Sequence, residues 1–308
     1  MGRGCAFPPH PVKHLLFPAL IPIHDPKSLS CCSRSRRPRL SFRWFSPKTR
    51  SLLRAPEFPS SFAPVLTRMR WPNFYCGMPV SLTPSEIKSL IAESPSRFDL
   101  WLRVLRTRPL ECAAEIGVWK GDFAKVILSN FSNLTKYYMI DPWAHLPDWN
   151  KPFNVDDHAF EDVYAEALLK TDFAASRRII LRGRTSAVID EIPDKSLDFA
   201  YIDGDHTLRG ITMDLIQVLP KIKDGGVIGG DDFVNKPWQH GPAYEPTLVC
   251  PFAVYFAEAM RLPCVALPHK QFLIQRAANA EFSFVDLAGT YSDLSLKKLS
   301  RGSVGKSV

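Results

Sequence analysis

Nowhere does the 308-residue chain run ~18 to 20 apolar residues without interruption, the length a bilayer-spanning helix needs, so an integral helical membrane protein is excluded. Paired cysteines are missing too. The seven cysteines, at 5, 31, 32, 76, 112, 250 and 264, include no Cys-x-x-Cys pair and have no histidine at metal-ligand spacing. That removes a disulfide framework and a zinc site and leaves buried small hydrophobes in a reducing compartment. Acidic residues are scarce at one end only. Residues 1–70 hold Asp25 and Glu57 against 13 Lys and Arg, whereas the rest of the chain carries 29 acids against 26 bases. The net charge of +8 therefore belongs to the N-terminal segment, and the remainder offers no broad phosphate-binding surface and no nucleic-acid partner.

The same 70 residues contain 11 of the 27 prolines and show no sustained helical or strand period, so they are expected to lie outside the fold. An Arg-rich, Ser-rich, acid-poor start has the character of an organellar transit peptide, and it is equally what an upstream start codon would add before Met69 or Met78. The expected division is a leader over 1–77, a folded domain over 78–283 and a partly disordered tail over 284–308. A soluble protein follows, placed in the cytoplasm, or in chloroplast or mitochondrion if the leader is a transit peptide.

Order is expected from Thr83-Pro84-Ser85-Glu86, an N-cap hydroxyl, a proline at the first helical position and a glutamate three residues on. A second helical pattern covers about Phe98 to Arg106. Short apolar runs then recur at Cys112–Ile116, Tyr137–Ile140, Arg178–Leu181, Leu197–Ile202 and Gly226–Ile228, separated by helix-length stretches. This βαβ rhythm predicts an α/β fold with a doubly wound, mostly parallel sheet and helices on both faces.

The first run leads into Glu115-Ile116-Gly117-Val118-Trp119-Lys120-Gly121, a strand followed by a turn with glycine at both ends. Trp119 stands where a dinucleotide fingerprint has its middle glycine, which argues against a pyrophosphate site and hence against an NAD-dependent oxidoreductase. The second run closes on Asp141, where a carboxylate at a strand end can accept both hydroxyls of a ribose. The third signal is Ile202-Asp203-Gly204-Asp205-His206-Thr207, followed after a helix by Gly225-Gly226-Val227-Ile228-Gly229-Gly230-Asp231-Asp232.

In this order and spacing the segments resemble the class I S-adenosylmethionine-dependent methyltransferases, within the small-molecule O-methyltransferases of the macrocin and catechol type, over about residues 110 to 276. The resemblance implies a seven-stranded sheet, with an antiparallel hairpin from Cys264–Leu267 and Gln271–Gln275. It implies S-adenosylmethionine held at Glu115, Gly117 and Gly121, its ribose at Asp141, its adenine near Thr185, and Asp203 beside it. By the pattern of metal-dependent relatives, Asp203, Asp231 and Asp232 would ligate Mg²⁺, a hard cation suited to carboxylates. His206 would take the proton of a small-molecule hydroxyl acceptor, with Asp203 as its catalytic companion. The chain departs from the family at Leu208, where many relatives carry an aromatic, and at Cys250-Pro251-Phe252; both lie on the acceptor side, so the acceptor is not identified. A non-catalytic cofactor-fold module is the rival reading, since the same acids could serve as turn and cap residues, and homo-oligomerisation is left open.

Overall fold

The computed structural model describes residues 82–277 and 279–291; the expected leader and residues 292–308 of the expected tail lie outside them. The chain enters through the capping box that the sequence predicts. Thr83 Oγ1 accepts from the Glu86 N–H at 3.3 Å and the Glu86 carboxylate accepts from the Thr83 N–H at 2.7 Å. Helix α1 (Pro84–Ile91) follows, then α2 (Arg97–Leu105). Just before α1, the Leu82 backbone exchanges two hydrogen bonds with the buried Gln275 side chain, which ties this entry to the sheet.

Five strands alternate with helices as the apolar runs predict: β1 (Cys112–Ile116), β2 (Lys136–Asp141), β3 (Arg178–Arg182), β4 (Leu197–Ile202) and β5 (Ile222–Gly230). All five are parallel, and β6 (Pro263–Leu267) and β7 (Gln271–Gln275) form the expected hairpin, with β7 antiparallel to β5. The sheet corrects one expectation. It has eight strands, in the order β3-β2-β1-β4-β5-β7-β6-β8, because β8 (Ser283–Asp286) adds in parallel to the β6 edge. The run Ser-Phe-Val-Asp has only two apolar residues and stays half-buried, so it carries little of the pattern by which inner strands are read. Order therefore continues past 283, and Tyr291 is buried with its hydroxyl on the Phe233 carbonyl.

Alternation along the strands divides the core in two. Ala113, Phe199 and Tyr201 face α1, α2, α3 (Asp122–Asn130) and α4 (Asp157–Lys170), while Ala114, Ala200 and Ile202 face α6 (Leu208–Val218) and α7 (Val249–Ala259). A short helix, α5 (Thr185–Val188), starts on the loop after β3. Strand order reverses between β1 and β4, and in an open α/β sheet a ligand crevice forms beyond the carboxyl ends of the strands at that switch point.

Candidate functional site

Three strand ends are laced together at the crevice. The Asp203 N–H donates to the Ile116 carbonyl at 2.7 Å and the Gly117 N–H to the Ile140 carbonyl at 2.9 Å. Gly117 has φ +82°, and a Cβ there would stand 2.1 Å from the Asp203 carbonyl oxygen, so no other residue fits. Gly121, at φ +74°, begins α3 and lies close against Ala167 of α4. It shapes the turn from behind and is not in the wall of the cleft.

Asp141 is where the sequence reading put it, at the lip of this turn, but its carboxylate has structural work there. Oδ2 accepts from the N–H groups of Val118 and Trp119, both at 2.9 Å, and Oδ1 from Trp143 at 2.8 Å. Three of roughly four acceptor positions are used, and one is left for a ligand hydroxyl. Burial raises the Asp141 pKa against the opposing pull of those three N–H groups. Glu115, on the same sheet face, is buried and accepts from the Tyr137 hydroxyl at 2.8 Å; burial raises its pKa well above the ordinary carboxylate range.

These residues open onto a cleft of about 700 Å³, within the size range of small-ligand sites. Thr185 lines it and is hydrogen-bonded to Asp214, which sequence reasoning missed. Burial pushes the Asp214 carboxyl up to about 7, despite the Thr185 hydrogen bond. A signal was present: Asp214 sits in the apolar stripe Ile211, Leu215, Val218 of α6, where an acid must be buried. Three buried polar atoms of residues that border the cleft, Trp149 Nε1, Gln217 Oε1 and Gln239 Oε1, have no hydrogen-bond partner among the described residues, and His206 Nε2 meets only the Asp203 carboxylate.

The three acids proposed as metal ligands all border the cleft but do not converge on one point. Asp231 Oδ1 accepts from Gln271 Nε2 at 2.6 Å and from the Asp232 N–H at 2.7 Å, and Oδ2 is ion-paired with Arg97 Nη1. The same Nη1 lies 3.1 Å from Asp203 Oδ2. Asp232, at φ +53°, turns away to accept from His206 Nδ1 at 2.7 Å and Gln239 Nε2 at 2.9 Å. Among the described residues no group of three or more His, Cys, Asp or Glu is disposed to hold a metal ion. The donor set does not fit Mg²⁺, because a guanidinium stands between two of the acids and an imidazole takes the third.

His206 lies beside these acids. Its Nε2 is 3.4 Å from Asp203 Oδ1, so the ring lies between two carboxylates with 15% of its side chain exposed. Burial works against its charge, but Asp203 and Asp232 raise its pKa to about 10. That shift favours the imidazolium form, which has no lone pair to take a proton. His240, also in the cleft wall, behaves in the opposite sense: burial lowers its pKa, so it is neutral near pH 7. Residues 144–153 and 239–245 also border the cleft. Lys151 Nζ donates to the carbonyls of Glu245 and Pro246 at 2.7 and 3.2 Å, and Asp148 pairs with Arg184 and Arg209.

The family described as a methyltransferase domain matches residues 114–233, which run from β1 through the acid cluster. No curated protein matches the chain. An O-methyltransferase from Bacillus cereus in complex with SAH is 16% identical, with 64% of this chain and 83% of that one covered at a TM-score of 0.44. An SAH-bound methyltransferase from Podospora anserina is 14% identical over 64% and 83% of the two chains, also at a TM-score of 0.44.

Proposed function

We propose, from the match of residues 114–233 to the methyltransferase-domain family, that this protein is an S-adenosylmethionine-dependent O-methyltransferase acting on the hydroxyl group of a small molecule. The observation that carries the reading is a cleft of small-ligand size at the switch point, walled by Glu115, Gly117, Asp141 and Thr185.

S-adenosylmethionine, when bound, supplies an electrophilic methyl group on a sulfonium. Gly117 lets the backbone pass close to a ligand, and the first turn of α3 offers unpaired N–H groups to a carboxylate. Asp141 accepts a ribose hydroxyl at its remaining lone pair, and Thr185 with Asp214 edges the adenine. Burial raises the Glu115 pKa, which favours its neutral form beside the donor. The acceptor enters under the roof of residues 144–154 and 235–247, which keeps water from competing with it.

An alcohol near pH 7 is almost wholly protonated, so its proton must leave as the new bond forms, and a positioned base contributes about 10²- to 10⁴-fold. His240 is neutral and faces this cleft, whereas His206 is held as a cation by its two aspartates. The base is therefore assigned to His240, and His206 becomes a positioning residue that bridges Asp203 and Asp232. Calorimetric titration of the full chain with S-adenosylmethionine, S-adenosylhomocysteine and NAD⁺ tests the reading. Saturable binding of the first two and none of the third is expected; no binding of S-adenosylmethionine would defeat the assignment.

A further inference from the structure

Arg97 occupies the first position of α2, where the positive end of the helix dipole disfavours a cation. Its position is fixed from one turn further along. Trp101, four residues on and so on the same helix face, packs on β5 at Gly229, where a Cβ would come within 2.1 Å of the ring. Trp101 Nε1 donates to Gln271 Oε1 at 2.8 Å, as does the Tyr201 hydroxyl, and the Gln271 amide donates to Asp231. One buried network thus sets both the guanidinium and its carboxylate partner. Nη1 meets Asp231 Oδ2 and Asp203 Oδ2, and an ion held by this pair of acids would need the same space. The Arg97 side chain is one-third exposed and borders the cleft, and among the described residues Nη2 and Nε have no acceptor.

We propose that the Arg97 guanidinium is the resident cation of the acceptor subsite, filling the place between Asp203 and Asp231 that a divalent metal would require and donating its remaining N–H groups to the acceptor. Its planar fork matches a planar pair of oxygens, so the acceptor class that fits carries a carboxylate besides its hydroxyl. The acceptor half of this proposal rests on the methyltransferase reading; the metal half does not. Carboxylates that share a guanidinium need no metal to offset their charge, and removing the guanidinium leaves Asp231 without its cation and Asp203 with His206 alone.

The test is Mn²⁺ titration of the EDTA-stripped full chain, with free ion read by electron paramagnetic resonance, for wild type, Arg97→Met and Arg97→Lys. Arg97→Met keeps the stem and its packing, and its cooperative melting is checked alongside. Wild type and Arg97→Lys should leave Mn²⁺ free, whereas Arg97→Met should bind one ion at least ~10-fold more tightly than wild type. One Mn²⁺ bound as tightly by wild type as by Arg97→Met would overturn the proposal, and so would a folded Arg97→Met that stays blind to metal. With an acceptor in hand, Arg97→Lys should raise its KM ~10-fold or more while the affinity for S-adenosylmethionine is unchanged; an unchanged KM would remove the acceptor contact. Failure of wild type to bind S-adenosylmethionine would tell against the proposed function and leave the metal result standing.

Discussion

Asp141 shows how one carboxylate can serve both the turn and the ligand. Replacing it by Ala should lower affinity for S-adenosylmethionine by about 2 to 3 kcal/mol and also lower the melting temperature, since three backbone N–H groups lose their acceptor. Asp141→Asn retains one oxygen, so its melting temperature should fall less than that of the Ala variant while the affinity still drops. Calorimetry and thermal unfolding on the pair separate the two roles, and equal melting with unaltered affinity would refute both. Asp214 makes a prediction about pH. An aspartyl near 3.9 when unfolded is pushed up to about 7 in the fold, so between those values the folded chain holds a proton that the unfolded chain has lost. Its contribution to stability therefore declines as pH rises from about 4 to 7 and is level above that. Measured by denaturant unfolding, Asp214→Asn should gain on wild type by more than ~1 kcal/mol between pH 5 and pH 8; a gain that does not depend on pH would show that the carboxyl titrates normally. At the two histidines, His240→Ala should cost ~10²-fold or more in kcat, and the wild-type kcat should fall on the acid side as His240 is protonated. Retention of that acid limb in His240→Ala would take the base away from His240.

Elements were legible in the sequence where burial is continuous. β1, β3 and β4 coincide with their apolar runs to within a residue, and α1 starts at its capping box, because these signals are local. β5 begins four residues before the apolar run that predicts it, since Lys223 and Asp224 break the hydrophobic pattern although Lys223 pairs with Asp198 across the sheet. The glycines of the Gly-Gly-Val-Ile-Gly-Gly segment could be recognised as a family pattern, but their purpose is visible only in packing. Gly229 admits Trp101, and Gly230 admits Phe272. Gly229→Ala should push α2 off the sheet at a cost of about 1 to 3 kcal/mol and carry Arg97 away from its aspartates. Thermal unfolding reads the first effect and Mn²⁺ binding the second; a variant as stable as wild type would show that α2 does not rest on that glycine.

On the scale of the whole molecule, each site residue taken from the sequence came with its own strand end, and β1, β2 and β4 bring Glu115, Gly117, Asp141 and Asp203 to one crevice. What could not be read was charge pairing across long separations. Arg97 meets Asp203 from 106 residues away, and no local pattern announces that an arginine opening a helix will stand between two acids. The raised pKa of His206 was hidden too, because it depends on Asp232 folding back toward the ring. A crystal structure of the full chain with S-adenosylhomocysteine, grown with Mg²⁺ present, tests the account most directly. It should show the amino-acid portion at the turn between Gly117 and Gly121, the ribose on Asp141, the adenine beside Thr185, and Arg97 still between Asp203 and Asp231. A ligand seated elsewhere, or a Mg²⁺ ion between those two aspartates with Arg97 displaced, would contradict it.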